Sequence, residues 1–316
     1  MQIGIIGAGQ VGAATAFALM MRGIARKITL VDVNKERAIA EAIDISHAAP
    51  FAYANKVKAG EYEDLKGAGI VIITAGANQK PGETRVDLLE RNIRIFSDII
   101  PKVTAAAPDA ILIVATNPVD IMTDVTLRLS GFPKERVIGS GTVLDTARFR
   151  TDLGYHLGIS PKSIHANVLG EHGDSEVLCW SNGDGGTIPL LKLAENMKKP
   201  ITKEVKQKID DDVRNAAYKI IEGKGATYYG IAGALCRICQ AIATNEYAIL
   251  TVSSLHAEIA GEKDVCLSMP TVIGKRGIHD VLYPHLDELE NTLLAESAQK
   301  MKALSSEADH LLSSKK

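Results

Sequence analysis

Four short runs near the start of the chain are apolar at almost every position: Ile3–Ile6, Ile28–Val33, Gly69–Thr74 and Ala110–Thr116. A strand with one face in water alternates apolar and polar residues. Ile70-Val71-Ile72-Ile73 and Ile111-Leu112-Ile113-Val114 do not alternate, so both of their faces are predicted to be buried. Stretches of helical character lie between the runs. Together they predict a parallel sheet covered by helices on both sides, with Val137–Ser140 as its last strand.

The turn after the first run sharpens this. Gly7-Ala8-Gly9-Gln10-Val11-Gly12 is G-x-G-x-x-G, placed between a strand and a helix. Gly7 permits a tight turn, Gly9 lets backbone approach a pyrophosphate, and Gly12 lets the helix sit close to the strand. The motif alone is common. Its context is less so, because Asp32 follows Gly12 by 20 residues at the end of the second run. A carboxylate there accepts a ribose 2′-hydroxyl and repels a 2′-phosphate, which favours NAD over NADP. The expected fold is a Rossmann-type doubly wound sheet. Gly7, Asp32, Gly76 and Asn117 each follow a predicted strand, where ligands bind in such sheets.

Beyond about residue 145 the pattern changes. Long helical stretches at 200–222 and 227–243 flank strand-like runs at 247–255 and 265–273, and a polar-faced helix is predicted from about Asp287 to the end. The reading is two domains, 1–142 for a dinucleotide and 143–316 as an α+β catalytic domain. Ser181-Asn182-Gly183-Asp184-Gly185-Gly186 has the composition of a flexible loop.

Bulk composition excludes several classes. With 36 basic and 38 acidic residues in a chain of 316, nothing tracks a nucleic-acid backbone or an anionic membrane. Four cysteines are too few for a disulfide scaffold and point to a reducing, cytoplasmic setting. Cys236 and Cys239 form a C-x-x-C without a second ligand pair, so helix packing is favoured over a metal or redox role, and no metal is expected. The apolar stretch 3–21 is interrupted by four glycines and lacks a basic start, which argues against a targeting or membrane segment.

Three segments carry the chemistry: Asn78–Arg85, Asp145-Thr146-Ala147-Arg148, and Gly170-Glu171-His172-Gly173-Asp174. His172 is the side chain there whose ordinary pKa suits proton exchange near neutrality. An aspartate against its far ring nitrogen would fix the tautomer. Asp174 is nearer in sequence, although a His-Gly-Asp turn more naturally bonds its own backbone. Arg148 lies three residues after Asp145, so on a helix the two share a face, and its fork suits a substrate carboxylate; a plain Asp–Arg surface pair is the bland alternative. Arg85 ends a Pro-Gly loop that could close over substrate, and Asn117 precedes a proline, where it could bond a ligand or simply form a turn.

These motifs, with Gly76–Arg85, Ala115–Asp120, Gly139–Arg148 and Ala226–Gly230, run in the order of the lactate/malate dehydrogenase family, which the chain resembles over essentially its whole length, most of all its bacterial lactate-type members. The resemblance implies reversible reduction of pyruvate to L-lactate by NADH, with His172 as acid/base, Asp145 as its partner, Arg85 polarising the carbonyl and Arg148 holding the carboxylate. It implies substrate contacts at Gln79, Asn117 and Thr227, with Gln79 as selector: beside a neutral Gln the second carboxylate of oxaloacetate would be buried unpaired. NAD contacts are implied at Gly7, Gly9, Gln10, Val11, Gly12, Asp32, Arg37, Tyr62, Gly76, Ala77, Ala115, Asn117 and Ser140. Arg150 and His165 match positions that take fructose 1,6-bisphosphate between subunits in some members, and a homotetramer is implied.

Overall fold

The computed structural model describes residues 1–53, 56–77 and 85–313, with Arg85 by its backbone alone. In chain order the first half runs β1 (Gln2–Ile6), α1 (Gln10–Met21), β2 (Lys27–Val31), α2 (Lys35–His47), β3 (Lys56–Ala59), β4 (Ile70–Ile73), α3 (Arg85–Ala106), β5 (Ile111–Val114), α4 (Val119–Ser130) and β6 (Val137–Gly139). The strands are parallel in the order β3-β2-β1-β4-β5-β6, the doubly wound arrangement.

The double-faced apolar pattern has the expected origin. Ile3, Ile5, Ile70, Ile72, Ile111 and Ile113 enter one core with Leu19 of α1. Their neighbours Ile6, Val71, Ile73, Leu112 and Val114 enter another with Ile93 and Phe96 of α3 and Met122 of α4. Alternate side chains of one strand thus fill cores on opposite sides of the sheet. β3 was not predicted. Its Lys56 is exposed and Lys58 half-buried, the polar composition of a sheet edge, where an apolar strand would invite association.

The second half begins with α5 (Val143–Leu157), then β7 (Ile164–His165), β8 (Val168–Gly170), β9 (Glu176–Leu178), β10 (Asp184–Gly185), β11 (Ile188–Pro189), α6 (Leu190–Asn196), α7 (Lys203–Lys224), α8 (Tyr229–Ala243), β12 (Ala248–Ile259), β13 (Glu262–Gly274), β14 (Gly277–Val281) and α9 (Glu288–Ser313). The main sheet does not stop at β6. β12 joins it antiparallel through Ser253 opposite Gly139, and β13, β8 and β9 continue it.

The glycine-rich segment at 181–186 is a structured part of the protein rather than a loose loop. Asp184 and Gly185 form β10, which pairs with β7 and β11, setting Asp184 opposite His165. The turn before it is tied down because the amides of Trp180 and Ser181 both donate to buried Glu290 at the start of α9. Glycine composition suggested freedom; these tertiary bonds remove it. Cys236 and Cys239 lie fully buried in the core under α8, where burial pushes both thiols up, as packing residues rather than a redox pair. No helix among the described residues is long and apolar enough to cross a membrane.

Candidate active site

At the carboxyl ends of β1, β2 and β4 lies a cleft of about 720 Å³ lined by Gly7, Gly9, Gln10, Val11, Gly12, Asp32, Arg37, Tyr62 and Gly76, and by Thr227 from the far side. Its floor is backbone. Gly7 has φ +104°, and a Cβ there would press on Ala75 at 2.7 Å. A Cβ on Gly12 would overlap the Gly7 carbonyl oxygen, so α1 packs on the turn only as glycine. Above Gly9 there is open space.

α1 also starts at Gly9 without a side-chain cap and without an acidic residue in its first turn, whereas α2 is capped by the Asn34 side chain. The leading amides of α1 therefore remain donors at the positive end of a helix dipole, the arrangement that takes a pyrophosphate. Asp32 accepts Ala8 N–H through Oδ2 at 2.6 Å and Asn34 N–H through Oδ1 at 2.8 Å, which fixes its carboxylate at the rim. The glycine cradle, the uncapped helix and the placed carboxylate fit NAD. Ala77, Ala115 and Ser140 are not among the described lining residues. Ala77 donates its amide to Asn92, and Ser140 is buried with its amide on the Val114 carbonyl.

A smaller pocket of about 260 Å³ is lined by Asn117, Pro118, Glu171, His172, Gly173 and Asp174, with Tyr218 of α7. Thr227 lines the cofactor cleft rather than this pocket. Asn117 is placed by Asn92 of α3, whose Nδ2 donates to the Asn117 carbonyl at 2.9 Å while its Oδ1 accepts Ala77 N–H at 2.8 Å. Gln79 lies outside the described residues, and so does the side chain of Arg85, which opens α3.

His172 sits in the turn between β8 and β9. Thr146 of α5 receives Val168 N–H at 2.9 Å and Thr142 donates to the Val168 carbonyl, so β8 is bonded to the first turns of α5. That docking brings Asp145 to the imidazole. His172 Nδ1 donates to Asp145 Oδ2 at 2.6 Å, and Arg148 Nη1 donates to Asp145 Oδ1 at 2.7 Å. Both oxygens of one buried carboxylate are thereby assigned, one to each partner, and the Asp145–His172 pairing holds. With Nδ1 engaged, Nε2 is the nitrogen available to a ligand.

The turn itself is pinned from two sides. The His172 amide donates to Asp120 Oδ2 of α4 at 2.8 Å. Glu171 accepts Lys300 Nζ of α9 at 2.6 Å and also the Ser175 hydroxyl, while its own amide donates to Ser297 Oγ. Asp120 and Asn92 went unassigned in the sequence reading. Their only signal was a polar residue on the inward face of an amphipathic helix, Asp120 being 2% exposed and Asn92 fully buried.

The electrostatics follow from burial and pairing. Burial pulls the His172 imidazole down, but the charge and hydrogen bond of Asp145, with the charges of Asp120 and Glu176, prevail and hold it at about 9. Burial pushes Asp145 up, yet His172 and Arg148 keep it below the usual carboxylate range. Asp120 is lifted to about 6, burial outweighing the His172 amide bond and the imidazolium charge. Among the described residues one trio has donor spacing a metal would need, Asp145, His172 and Glu176, whose ligand-type atoms lie within 4.8 Å of one another. A His–Asp contact of 2.6 Å is a hydrogen bond, shorter than the spread of two ligands around an ion.

Arg150 is largely committed. Its Nε donates to the Ala166 carbonyl at 2.8 Å and its Nη2 to Asn167 Oδ1 at 3.1 Å, next to exposed His165.

Known proteins share this architecture. The L-lactate dehydrogenase of Allorhizobium ampelinum is 57% identical over 304 residues, covering 96% of this chain and 98% of that protein. The Thermus aquaticus L-lactate dehydrogenase is 52% identical, covering 97% and 99%. A crystal structure of a lactate dehydrogenase from a Medee basin deep-sea metagenome library superposes with a TM-score of 0.94 at 41% identity over 98% of both chains. The family model for the lactate/malate dehydrogenase NAD binding domain matches residues 1–139, and that for the alpha/beta C-terminal domain of the same family matches residues 142–311. With a dinucleotide cleft and a His–Asp couple built as described, the chain belongs to the lactate/malate dehydrogenase family.

Proposed function

We propose that this protein is an NAD-dependent L-lactate dehydrogenase that interconverts pyruvate and L-lactate, the redox-balancing step of fermentative glycolysis. The observation that carries the reading is Asp145, whose two oxygens bond His172 at 2.6 Å and Arg148 at 2.7 Å. That contact sets a proton donor and a carboxylate-binding fork side by side.

NADH, when bound, supplies the hydride. His172, held protonated by Asp145, gives its proton from Nε2 to the pyruvate carbonyl oxygen and takes it back in lactate oxidation. The proton stays local because Asp145 stabilises the imidazolium without taking the proton itself. Arg148 pairs with the substrate carboxylate. By resemblance Arg85 stabilises the charge growing on the carbonyl oxygen, Gln79 shapes the end of the pocket that takes the methyl group, with Thr227 reaching that end from the cofactor cleft, and Asn117 orients the substrate.

The four free, buried cysteines support a cytoplasmic setting. The remaining assignments rest on the family: a division into domains near residue 142, a homotetramer, and an intersubunit fructose 1,6-bisphosphate site that includes Arg150 and His165. The first experiment is NADH oxidation by the purified protein with pyruvate and with oxaloacetate, each with and without fructose 1,6-bisphosphate. Preference for pyruvate is expected. Preference for oxaloacetate would overturn the substrate assignment, and an unchanged rate with the sugar phosphate would remove Arg150 and His165 as an effector site.

A further inference from the structure

β9 packs Val177 and Leu178 into different cores, Val177 toward α9 and Leu178 toward Phe149 and Leu153 of α5 and Val213 of α7. Glu176, two residues before Leu178, projects on the Leu178 side. It is 4% exposed, and its Oε1 has no hydrogen-bond partner among the described residues. A carboxyl buried in this way is costly unless the surroundings make use of its charge.

Several ionisable groups lie close to it. Asp145 and His172 each bring an atom within the 4.8 Å grouping already described. From α5 Arg148 also faces it, and from α7 Arg214, whose guanidinium bonds Asp210 at 2.7 Å and the Asp174 carbonyl at 3.1 Å. Charges on the remaining elements are spent elsewhere: Lys300 on Glu171, Glu290 on the amides of Trp180 and Ser181, Asp120 on the His172 amide. Burial and then the Asp145 charge lift Glu176 to about 8, against the pull of Arg214, His172 and Arg148.

We propose that Glu176 is a positioning residue acting through His172: its carboxyl is the third ionisable member of the His172–Asp145 couple, and its ionisation locks the proton on His172 and sets the upper pH limit of pyruvate reduction. Near neutrality Glu176 carries its own proton. As pH rises Glu176 and His172 titrate over the same interval, and the charge that Glu176 gains there lies beside the imidazolium and holds its proton. The three groups therefore titrate as one unit. The inference rests on His172 being the proton donor.

The test is the pH profile of kcat/KM for pyruvate at saturating NADH, from pH 6 to 10, for the wild-type enzyme, Glu176→Gln, Glu176→Asp and His172→Asn. Glu176→Gln is expected to move the alkaline limb to lower pH by about one unit, on the order of tenfold in rate above that limb, with Glu176→Asp restoring most of the shift. A limb that stays in place, whatever happens to the plateau, overturns the proposal. Infrared difference spectra of the wild-type protein between pH 7 and 9 provide the second reading if Glu176→Gln does not fold. A carboxylic-acid C=O band should disappear in that window, when Asp120 at about 6 has already ionised; no such band overturns the proposal equally. His172→Asn keeping both turnover and limb would instead remove His172 as proton donor, a failure of the functional reading rather than of Glu176.

Discussion

The cleft above β1 is made by leaving side chains out, whereas the cluster around His172 is made by crowding charged ones in. Gly7, Gly9 and Gly12 clear a path for a ligand and leave backbone amides to meet it, all within six residues. His172, Asp145, Arg148, Asp120 and Glu176 come from four separate segments and meet only because α4, α5, β8 and β9 dock together. The first site is governed mainly by sterics at its glycine turn. The second is governed by charge, so its state depends on pH and on every partner.

Asp145→Asn is the strongest test of this contrast. It should cut kcat/KM for pyruvate by roughly three orders of magnitude while NADH affinity, followed by fluorescence, changes only a few-fold. A comparable loss of NADH binding would show that the two sites are not independent. Gly12→Val should do the converse, weakening NADH by about a hundredfold, because the added side chain displaces α1 from the turn. That loss should be the same at pH 6 and pH 9; a pH-dependent loss would break the distinction. Asp32→Ala should raise use of NADPH relative to NADH by about tenfold, read as a ratio of kcat/KM values.

The smallest effect is on stability. The folded-state pKa of His172, about 9, lies above the ordinary 6.5, so the stability it adds is complete below pH 6.5 and is lost as pH rises through 9. Glu176, raised from 4.5 to about 8, also binds its proton more tightly in the fold, and its ionisation penalty accumulates over that interval. Within pH 6.5 to 9 both lower stability as pH rises, Glu176 up to about pH 8 and His172 throughout. Calorimetry should find Tm falling by about 5 °C across that range, and Asp145→Asn should flatten the slope. An equally steep slope in that variant would place the titrating groups elsewhere.

The two sites also differ in how far they could be read from sequence. The cofactor turn is local, and strand, glycines, helix and Asp32 stand in one short segment whose spacing carries its own meaning. The parallel strands were legible for a related reason: Ile70–Ile73 is apolar at every position, and only burial on both faces accounts for that. The partner of His172 was not legible from spacing. Asp174 was nearer in sequence, and Asp145, 27 residues away, was chosen by family resemblance; the 2.6 Å bond comes from α5 packing on β8. Asp145 and Arg148 did declare a common face through their i,i+3 spacing. Glu176 gave no signal, because in a three-residue strand nothing says which side is buried until α5 and α7 cover it. Ser181–Gly186 misled for the opposite reason: its composition was read as local freedom, while β7 and Glu290 supply long-range restraint.

Gly139 and Ser253 have a consequence for how such a protein could be recombined. At the one register pair that joins β6 to β12, a Cβ on Gly139 would come within 2.8 Å of the Ser253 Cβ, so the halves are shaped to each other at this seam as well as where α1 meets α8 and α4 meets α9. The two stretches that family models recognise separately are thus distinct as descriptions but not interchangeable as cassettes. A chimera spliced between residues 139 and 142 inherits this seam from two parents, and it should assemble only when the donor of the second half brings a residue as small as Ser253 to meet a glycine.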